Sequence, residues 1–435
     1  MTTKFSLPRG ANDIFPPQVS LWQEVEGKVR DFLKLYGYQE IRTPFFEETA
    51  LFVRSMGEHT DVVEKQMLNV RSSKKAEAQD AEESGLSLRP EGTAGVVRSY
   101  IENSLDKKES LSKLFYVGPM FRGERPQKGR LRQFHQIGVE AIGPDSFSAF
   151  LDAEVIALSV NLLKSLGLNK FQLKLNTLGT AEDKKKFQVM LKEKLKVFLC
   201  ALCPDCQDRY ERNVLRIFDC KKEGCQHVVK GLSLGQDWLG EESRNYFKKV
   251  KEALKLLEIP FEEDYRLVRG LDYYTHTVFE ITDSSLGSQN ALGAGGRYNN
   301  LVNQLGGPDV PAIGFALGIE RILLVLPQRE EKKSPLDVYL IALDEAAVTA
   351  SFCLLNCLRQ KGVKADMSYR LSSVKSLMRL ADKSQAPFVI IIGENEVKGE
   401  FITLKNMREG TQEEISIKNG DYRSIINKVK VSEKG

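Results

Sequence analysis

The sequence predicts a mixed α and β protein with a helical insertion near the middle of the chain and a small α/β domain at its C-terminal end. Two apolar, strand-like runs enclose a cationic hairpin in "FYVGPMFRGERPQKGRLRQFHQIGVE" (115–140). Between 181 and 258 the pattern changes to Lys-rich amphipathic helices. Beyond residue 335, apolar strands alternate with helices in a β-α-β-α-β order.

Length and composition exclude several classes of protein. The 435 residues suggest roughly two to four domains, and 42% hydrophobic with 28% charged residues is typical of a globular chain. No apolar run approaches the roughly 20 residues of a membrane span. The N-terminus has no apolar signal core, so we expect a cytoplasmic protein whose seven cysteines are reduced. The net charge of +4 means that any polyanion contacts a local patch.

The N-terminal third predicts a helix followed by strands. After Pro16-Pro17, apolar residues recur at helical spacing up to Gly37, which ends the helix. The segment "YQEIRTPFFEE" then reads as a strand. A polar stretch, 71–85, separates the strand-like runs "KQMLNV" and "LSLRP", and we expect it to be an exposed, mobile loop.

The rest of the chain divides into segments that differ in composition and in hydrophobic pattern. A core made of 1–180 and 259–326 is interrupted by the helical insertion 181–258, in which "SRNYFKKVKEALKLLEI" has one apolar face. The strand-like "RLVRGLDYYTHTVFEI" follows the insertion. Residues 327–334 read as a linker to the α/β domain 335–435, whose strands are "LDVYLIAL", "VKADMSY" and "PFVIIIG".

The hairpin predicts an anion site. Glu124 is the only acid among eleven positions that hold five cations: Arg122, Arg125, Lys128, Arg130 and Arg132. Arginine suits phosphate because its planar fork donates two charge-assisted hydrogen bonds. A solvated charged hairpin is the alternative. Arg269 and Arg321 lie in otherwise apolar segments, where an unpaired arginine is unfavourable. Together these arginines favour one polyphosphate site.

Six motifs in order carry a family resemblance. "YGYQEIRTPFFE", the hairpin with Phe121-Arg122 and Phe134, and "GFALGIER" match the three motifs of class II synthetases. "LVRGLDYYTHTVFE" and "ALGAGGRYNNLV" resemble signatures specific for histidine, and "LRPEGT" is a sixth matching motif. The chain thus resembles class II aminoacyl-tRNA synthetases, and among them the bacterial histidyl-tRNA synthetases. The resemblance implies an antiparallel catalytic sheet flanked by helices and a C-terminal anticodon-binding domain.

The resemblance also implies residue roles on the phosphate side. Arg122 would grip the ATP α-phosphate and the amino-acid carboxylate, and Arg269 would neutralise the α-phosphate where other class II enzymes place a metal ion. Glu124 would contact the adenine side of the site, and Phe134 and Arg321 would sandwich the ring. Arg122, Arg269 and Arg321 are therefore the expected catalytic residues.

For histidine, the resemblance implies a polar pocket. Glu91, Thr93 and Gln136 would bind the α-ammonium, and Glu140 and Tyr274 would bind the imidazole, whose two nitrogens each donate or accept. Gly92 and Tyr273 belong to the same histidine-binding set. Arg122 and Arg269 complete this set on the carboxylate side. Arg125 and Gln127 would contact the tRNA acceptor end. Simpler interpretations exist: Glu91 could form a surface ion pair with Arg89, and the two tyrosines could belong to the core and its rim.

The implied function is ATP-dependent, Mg²⁺-assisted attachment of L-histidine to tRNA(His) through a histidyl-adenylate, by a homodimer formed through the first motif. The alternative is a non-catalytic paralogue that regulates ATP phosphoribosyltransferase or senses uncharged tRNA. Such paralogues tend to lack the arginine of "RGLDYY" or the C-terminal domain, and this chain has both. In that domain, 359–383 holds seven cations against two acids, which fits either a solvated helix face or an RNA-backbone contact.

The cysteines form a separate pattern. Cys203-x2-Cys206 followed by Cys220-x4-Cys225 is close to the spacing of a zinc ribbon. The resemblance implies no metal here, because the segment "DRYERNVLRIFDCK" is similar to an ordinary metal-free insertion. Our sequence interpretation therefore favours a reduced, metal-free cluster over structural zinc.

Overall fold

The computed structural model describes residues 5–58, 60–71, 85–327, 336–418 and 421–431. The polar stretch 71–85 and the linker 327–334 lie almost wholly outside these ranges, so the loop and linker predictions are not addressed by them. The chain divides into two compact units, Met1–Gln328 and Arg329–Gly435. Among the described residues, no helix is both long enough and apolar enough to cross a membrane.

Two sheets organise the first unit. The larger has eight strands in the order β1-β5-β6-β11-β10-β9-β7-β8, and the smaller has the order β2-β4-β3. Neighbours from β5 to β7 pair antiparallel, and the edge strands β1 and β8 pair parallel. The strands are β1 (Gln39–Glu40), β2 (Phe46–Glu48), β3 (Leu68–Val70), β4 (Leu86–Leu88), β5 (Ser112–Phe121), β6 (Gln133–Ile142), β7 (Gln172–Thr177), β8 (Glu262–Glu263), β9 (Thr275–Thr282), β10 (Ala291–Arg297) and β11 (Ala312–Gly318).

Helices cover one face of the large sheet. The apolar sides of α1, α4 and α8 share a single core with the inward residues of β6, β9 and β11. The other face carries α3, the insertion helices and a cavity. The helices of this unit are α1 (Gln18–Leu35), α2 (Thr49–Met56), α3 (Thr93–Glu102), α4 (Ala149–Ser165), α5 (Ala181–Lys196), α6 (Pro204–Arg212), α7 (Glu223–Gly231), α8 (Glu241–Leu256), α9 (Leu301–Gln304) and α10 (Ile319–Val325).

Helix α1 follows its sequence pattern closely. Trp22, Val25, Val29 and Leu33 are buried at helical spacing, and the helix ends at Leu35, two residues before Gly37, whose φ of +79° favours glycine. Helix α8 also buries its apolar face, with Phe247, Val250 and Leu254, but it does so against α4 beneath the large sheet. By its packing α8 belongs with that sheet, although the sequence groups it with the insertion.

The strand expected over "YQEIRTPFFEE" is shorter than predicted. It splits into β1, which pairs with β5, and β2, which pairs with β4 of the smaller sheet. Pro44 lies between them and has no N–H to donate to a ladder, so a continuous strand across it would lose a hydrogen bond. Likewise, the strand expected over "RLVRGLDYYTHTVFEI" begins only at Thr275.

The second unit contains the predicted parallel β-α-β-α-β arrangement, with β12 between β13 and β14. The structure adds an antiparallel extension, β15 and β16, that the sequence analysis did not predict. The strands are β12 (Val338–Ala342), β13 (Ala365–Met367), β14 (Phe388–Ile392), β15 (Phe401–Asn406) and β16 (Gln412–Ser416), and the helices are α11 (Glu345–Gln360), α12 (Val374–Ser384), α13 (Glu394–Gly399) and α14 (Arg423–Val431).

Candidate active site

Strand β6 separates the core from the site by its two-residue period. Ile137, Val139 and Ala141 point into the apolar core beneath the sheet. The alternate residues face the opposite side, where Gln136 and Glu140 line a cavity. A slip of one residue would bury the carboxylate in the core, so the register of β6 sets the chemistry of the site.

Glycines on neighbouring strands make room for the cavity's side chains. Gly314 of β11 lies opposite Glu140, and a Cβ added there would stand 1.9 Å from the Glu140 Oε2 atom. Gly138 of β6 lies opposite Tyr116 of β5, and a Cβ there would stand 1.9 Å from the tyrosine ring. The glycines therefore leave the space that the Glu140 and Tyr116 side chains occupy in the cavity.

The acid end of the cavity is centred on Glu140, which is only 1% exposed. The Thr93 hydroxyl donates to its Oε1 atom at 2.7 Å, and the Tyr298 hydroxyl donates to Oε2. Burial raises the pKa of Glu140 to about 8, and the two hydrogen bonds oppose this rise. Each carboxylate oxygen is thus held by a hydroxyl from a different part of the chain.

Glu91 is the second acid of this end. It accepts hydrogen bonds from the backbone N–H groups of Thr93 (2.7 Å) and Ala94 (2.8 Å), at the start of α3. Burial raises its pKa as well, against those hydrogen bonds and the charge of Arg122. The surface ion-pair interpretation is wrong, because Glu91 and Arg89 are both buried and Arg89 donates to the carbonyls of Thr43 and Pro119.

Two tyrosines and a glutamine complete the acid end. Tyr273 and Tyr274 are buried in the segment just before β9, with ring centroids 4.6 Å apart, and both line the cavity. Gln136 lines it as well, and no atom in the described part of the chain donates to its buried Oε1 atom. This oxygen is therefore an open acceptor within the cavity.

The opposite end of the cavity is cationic. The Nε atom of Arg122 donates to the Pro90 carbonyl at 2.9 Å, and its guanidinium lies 5.3 Å from the Phe134 ring centroid. Glu124 is buried next to it, with Oε1 3.9 Å from Arg122 Nη1, and it also contacts Arg130. Arg122 thus faces the cavity with only part of its donor fork engaged.

Two further arginines reach this end from distant segments. Arg269 Nη1 donates to Glu280 Oε1 at 2.8 Å, which fixes the direction of its guanidinium. Arg321, in α10, donates to the Gly129 carbonyl at 3.0 Å and to the Ala291 carbonyl at 2.6 Å. Arg321 thereby ties the turn of the cationic hairpin to the start of β10.

The structure brings most of the sequence-predicted site together. One cavity is lined by Glu91, Thr93, Arg122, Glu124, Phe134, Gln136, Glu140, Arg269, Tyr273, Tyr274 and Arg321. Gly92 is not part of the lining, but a Cβ there would overlap Tyr116 at 2.2 Å. Arg125 and Gln127 lie outside the lining in the hairpin loop, where the backbone of Gln127 pairs with that of Arg130.

Sequence reasoning missed three lining residues with polar side chains, Tyr116, Arg130 and Tyr298. Arg130 was counted among the loop cations without a role of its own, and Tyr298 stands in the quoted motif "ALGAGGRYNNLV". A signal for Tyr116 is its position in a strand directly opposite a glycine, but that pairing becomes visible only when the register of β5 and β6 is known.

Four cysteines form a second cluster, outside this cavity. The Sγ atoms of Cys203, Cys206, Cys220 and Cys225 all lie within 4.8 Å of one another. Among the residues that the structure describes, this is the group with the donor atoms and spacing to hold a metal ion.

An antiparallel sheet that carries the three motifs and a polar cavity on one face, cationic at one end and acidic at the other, is the fold and site of a class II aminoacyl-tRNA synthetase. Comparisons with known proteins narrow the class. The family model described as "Histidyl-tRNA synthetase" matches residues 10–322, and the one described as "Anticodon binding domain" matches residues 337–420.

Individual relatives agree with these matches. The chain is 45% identical to a histidine–tRNA ligase of Halothermothrix orenii over 95% of this chain and 97% of the relative. It is 46% identical to one from Geobacillus sp., with the same coverage. The crystal structure of apo S. aureus histidyl-tRNA synthetase superposes with a TM-score of 0.78 at 36% identity, over 98% of this chain and 100% of that one. The chain belongs to the histidyl-tRNA synthetase family.

Proposed function

We propose that the protein joins L-histidine to tRNA(His) in two steps, through a histidyl-adenylate, with release of pyrophosphate and then AMP. The observation that carries this proposal is the polarity of the cavity, which has the buried acids Glu91 and Glu140 at one end and four arginines, with the buried Glu124 beside them, at the other. An amino acid and a polyphosphate present complementary groups in the same order, with an ammonium, then a carboxylate, then phosphates.

The acid end accounts for the amino-acid specificity. Glu140 is already held through one hydroxyl at each oxygen, so its remaining lone pairs are aimed into the cavity, towards an imidazole N–H. The open Gln136 Oε1 atom and the Glu91 carboxylate are acceptors for the α-ammonium. A pocket of this kind rejects apolar isosteres by roughly 10⁴-fold or more, because they would leave its buried polar groups unpaired.

The arginine end accounts for the first step. The histidine carboxylate attacks the α-phosphorus in line and pyrophosphate leaves, so negative charge builds on the phosphate oxygens. Arg122 and Arg269 are fixed cations at this position, and Glu280 holds Arg269 in one orientation. Phe134 and Arg321 are the pair proposed to stack on adenine. Catalysis then comes from positioning and charge and needs no protein nucleophile.

ATP enters as its Mg²⁺ complex in this proposal. Two carboxylates at the arginine end, Glu124 and Glu280, provide the hard oxygen donors that Mg²⁺ prefers, and each is already engaged by an arginine. These residues fit a cation carried on the phosphates. When bound, it neutralises charge on the leaving β- and γ-phosphates.

ATP–pyrophosphate exchange assayed with each of the twenty amino acids tests the first step. Exchange that depends on histidine alone is the expected result, and no exchange with any amino acid would favour the regulatory or sensor paralogue instead. The presence of Arg269 in the cavity and the match of residues 337–420 to an anticodon-binding domain support the enzyme.

The second unit is proposed to bind the anticodon end of tRNA. Around α12, the side chains of Arg370, Lys375, Arg379 and Lys383 are exposed, and Tyr369 between them and β13 is 62% exposed. Cations for phosphates and an aromatic face for a base are the usual elements of an RNA surface. A truncated chain, 1–328, should keep histidine-dependent exchange but lose most aminoacylation, with a shallower salt dependence of tRNA binding. Full charging by the truncated chain would refute this assignment.

We also propose a twofold homodimer. Phe45 and Phe46, in the first class II motif, are 52% and 51% exposed, and Val70 and Leu86 add apolar surface on the adjoining small sheet. Such a patch is unusual on a free surface. Sedimentation should give a dimer at micromolar concentration, and a monomer that is fully active would disprove it.

Arg125 and Gln127 are proposed to contact the tRNA acceptor end, and a cytoplasmic location follows from a role in translation.

A further inference from the structure

The cysteine cluster lies in the insertion, away from the residues proposed to act on histidine and ATP. Its two halves come from separate turns, Cys203 with Cys206 at the start of α6, and Cys220 with Cys225 around the start of α7. Cys206, Cys220 and Cys225 are buried, and Cys203 is half-buried. Three buried thiols and one at the rim, drawn from two turns, form a closed set of four sulfur donors.

The distances fit a single tetrahedral ion. With Zn–S bonds of about 2.3 Å, ideal tetrahedral geometry separates the sulfurs by about 3.8 Å. The Sγ atoms of Cys203 and Cys220 are 3.9 Å apart, and the four atoms lie within 4.8 Å of one another. Four sulfurs at this separation can share a central ion with only small side-chain adjustments.

The surroundings suit the charge of such a centre. Zn²⁺ with four thiolates carries a net charge of −2, which hydrogen-bond donors and helix N-termini stabilise. The backbone N–H of Cys203 donates to Cys225 Sγ at 3.2 Å. Cys206 and Cys225 each occupy the first turn of a nine-residue helix, the end at which the helix dipole is positive.

We infer that Cys203, Cys206, Cys220 and Cys225 bind a structural Zn²⁺ ion that fixes the fold of the insertion. This reverses our interpretation of the sequence alone, which favoured a metal-free cluster. Binding converts the thiols to thiolates and releases their protons to solvent, and no redox change is involved. With no open coordination position, the ion has no role in the ligase chemistry.

The segment enclosed by the cluster makes contacts that the ion would stabilise. Arg209 and Arg216, between the two cysteine pairs, both contact Asp61, at 3.2 and 3.0 Å. Asn213 donates to the carboxylate of Asp272, the residue before Tyr273. The cluster therefore anchors a segment that supports the backbone next to the histidine pocket.

The first test counts metal in the full chain, expressed with added zinc and purified under reducing conditions without chelator. We expect about one zinc per chain. The double variant Cys206→Ser with Cys225→Ser should lose it. The matched control, Cys200→Ser, changes an exposed cysteine that lies outside the cluster and should retain the full content.

A second measurement on the unmodified chain covers the case in which the double variant does not fold. After removal of zinc with a chelator, addition of Co²⁺ should produce the visible bands of a tetrahedral ion and intense near-ultraviolet sulfur-to-metal bands. Hydrogen exchange in 199–231 should slow at least tenfold when either metal is added.

Two results would overturn the inference. One is a reduced full chain with no more zinc than the double variant and no tetrahedral cobalt spectrum. The other is a freshly purified chain whose intact mass is lower by two hydrogens without bound metal, which would identify a Cys203–Cys220 disulfide in place of a metal centre.

Discussion

The two ends of the cavity are built in different ways. The acid end stands on regular elements: Glu140 is within β6, Thr93 begins α3, and Tyr298 directly follows β10. At the arginine end, Arg122 and Arg269 lie in segments outside strands and helices. Hydroxyls hold Glu140 and backbone N–H groups hold Glu91. Arg122 and Arg321 are held by backbone carbonyls, and Arg269 by the Glu280 carboxylate.

This difference separates recognition from catalysis. A hydrogen-bonding pocket on rigid strands can discriminate between similar side chains, because its polar groups cannot rearrange to suit the wrong one. Arginines on connecting segments can follow a phosphate as its charge and geometry change during the reaction. Substitutions at the acid end should therefore change the histidine KM, and substitutions at the arginine end should change the rate of adenylate formation.

The largest effect is expected at Arg269. Arg269→Ala should slow adenylate formation by about 10³-fold or more, since it removes a fixed cation where charge develops. Arg269→Lys should recover little, because a point charge cannot both hold Glu280 and donate a fork to phosphate. The rate of adenylate formation in a single turnover measures this effect, and circular dichroism verifies folding. Lys128→Ala, which changes an exposed cation of the hairpin, is the control. A lysine variant near the wild-type rate would refute the assigned geometry.

The second effect is a pH dependence of stability at the acid end. Between its ordinary pKa of 4.5 and its native pKa of about 8, Glu140 keeps a proton in the folded chain that the unfolded chain has released. The native state then binds more protons, so stability falls as pH rises through this window. Relative to Glu140→Gln, the wild-type free energy of unfolding should fall by on the order of 3 kcal/mol from pH 5 to pH 8. Urea titrations at several pH values measure it, and a constant difference would contradict the burial argument.

The third prediction concerns the space that Gly314 leaves for the Glu140 side chain. In Gly314→Ala the new methyl group would meet the Glu140 carboxylate and displace it, because the adjacent backbone cannot move within the sheet. We expect kcat/KM for histidine to fall by about 10²-fold with an unchanged KM for ATP. Gly27→Ala is the control, since a Cβ at that position in α1 meets nothing within 4 Å. Equal losses for both substrates would mean that the two ends are not independent.

The smallest effect is expected for Tyr298→Phe, which removes one hydroxyl from Glu140 and preserves the ring. The loss of one buried hydrogen bond should lower kcat/KM for histidine by about tenfold. Tyr265→Phe, at a more exposed tyrosine outside the cavity, should have no effect. If Tyr298→Phe lowered the rate with saturating histidine instead, Tyr298 would act at the arginine end of the cavity.

Much of the fold and site was predictable because the signals are local. The strand-like run that becomes β6 and the helical spacing of α1 can be read within twenty residues, and the arginines are evident against their apolar neighbours. Pro44 also indicates that the first motif divides into two strands, β1 and β2. The sequence does not indicate that they pair with different partner strands, because strand pairing depends on tertiary structure.

What was missed depends on long-range proximity. Tyr298 and Glu140 are separated by 158 positions, and only the strand order brings them together. The cysteines illustrate the same limit: each pair is evident from its spacing, but the approach of one pair to the other is a property of the folded insertion. Local patterns predict which residues are unusual, and topology determines which of them meet.

The hydrogen-bond ladder between β6 and β11 affects which part of the site opens first on heating. Because Glu140 and Gly314 are paired in the middle of an eight-stranded sheet, the histidine pocket can open only when that sheet opens. The turn of the cationic hairpin after β5 lies outside the sheet's hydrogen-bond ladder and is tied to β10 through the Arg321 side chain, so it can open before the sheet does. On heating, the protein should lose its affinity for ATP some degrees before it loses its selectivity for histidine. A gently warmed sample would therefore be inactive while it still bound histidine selectively.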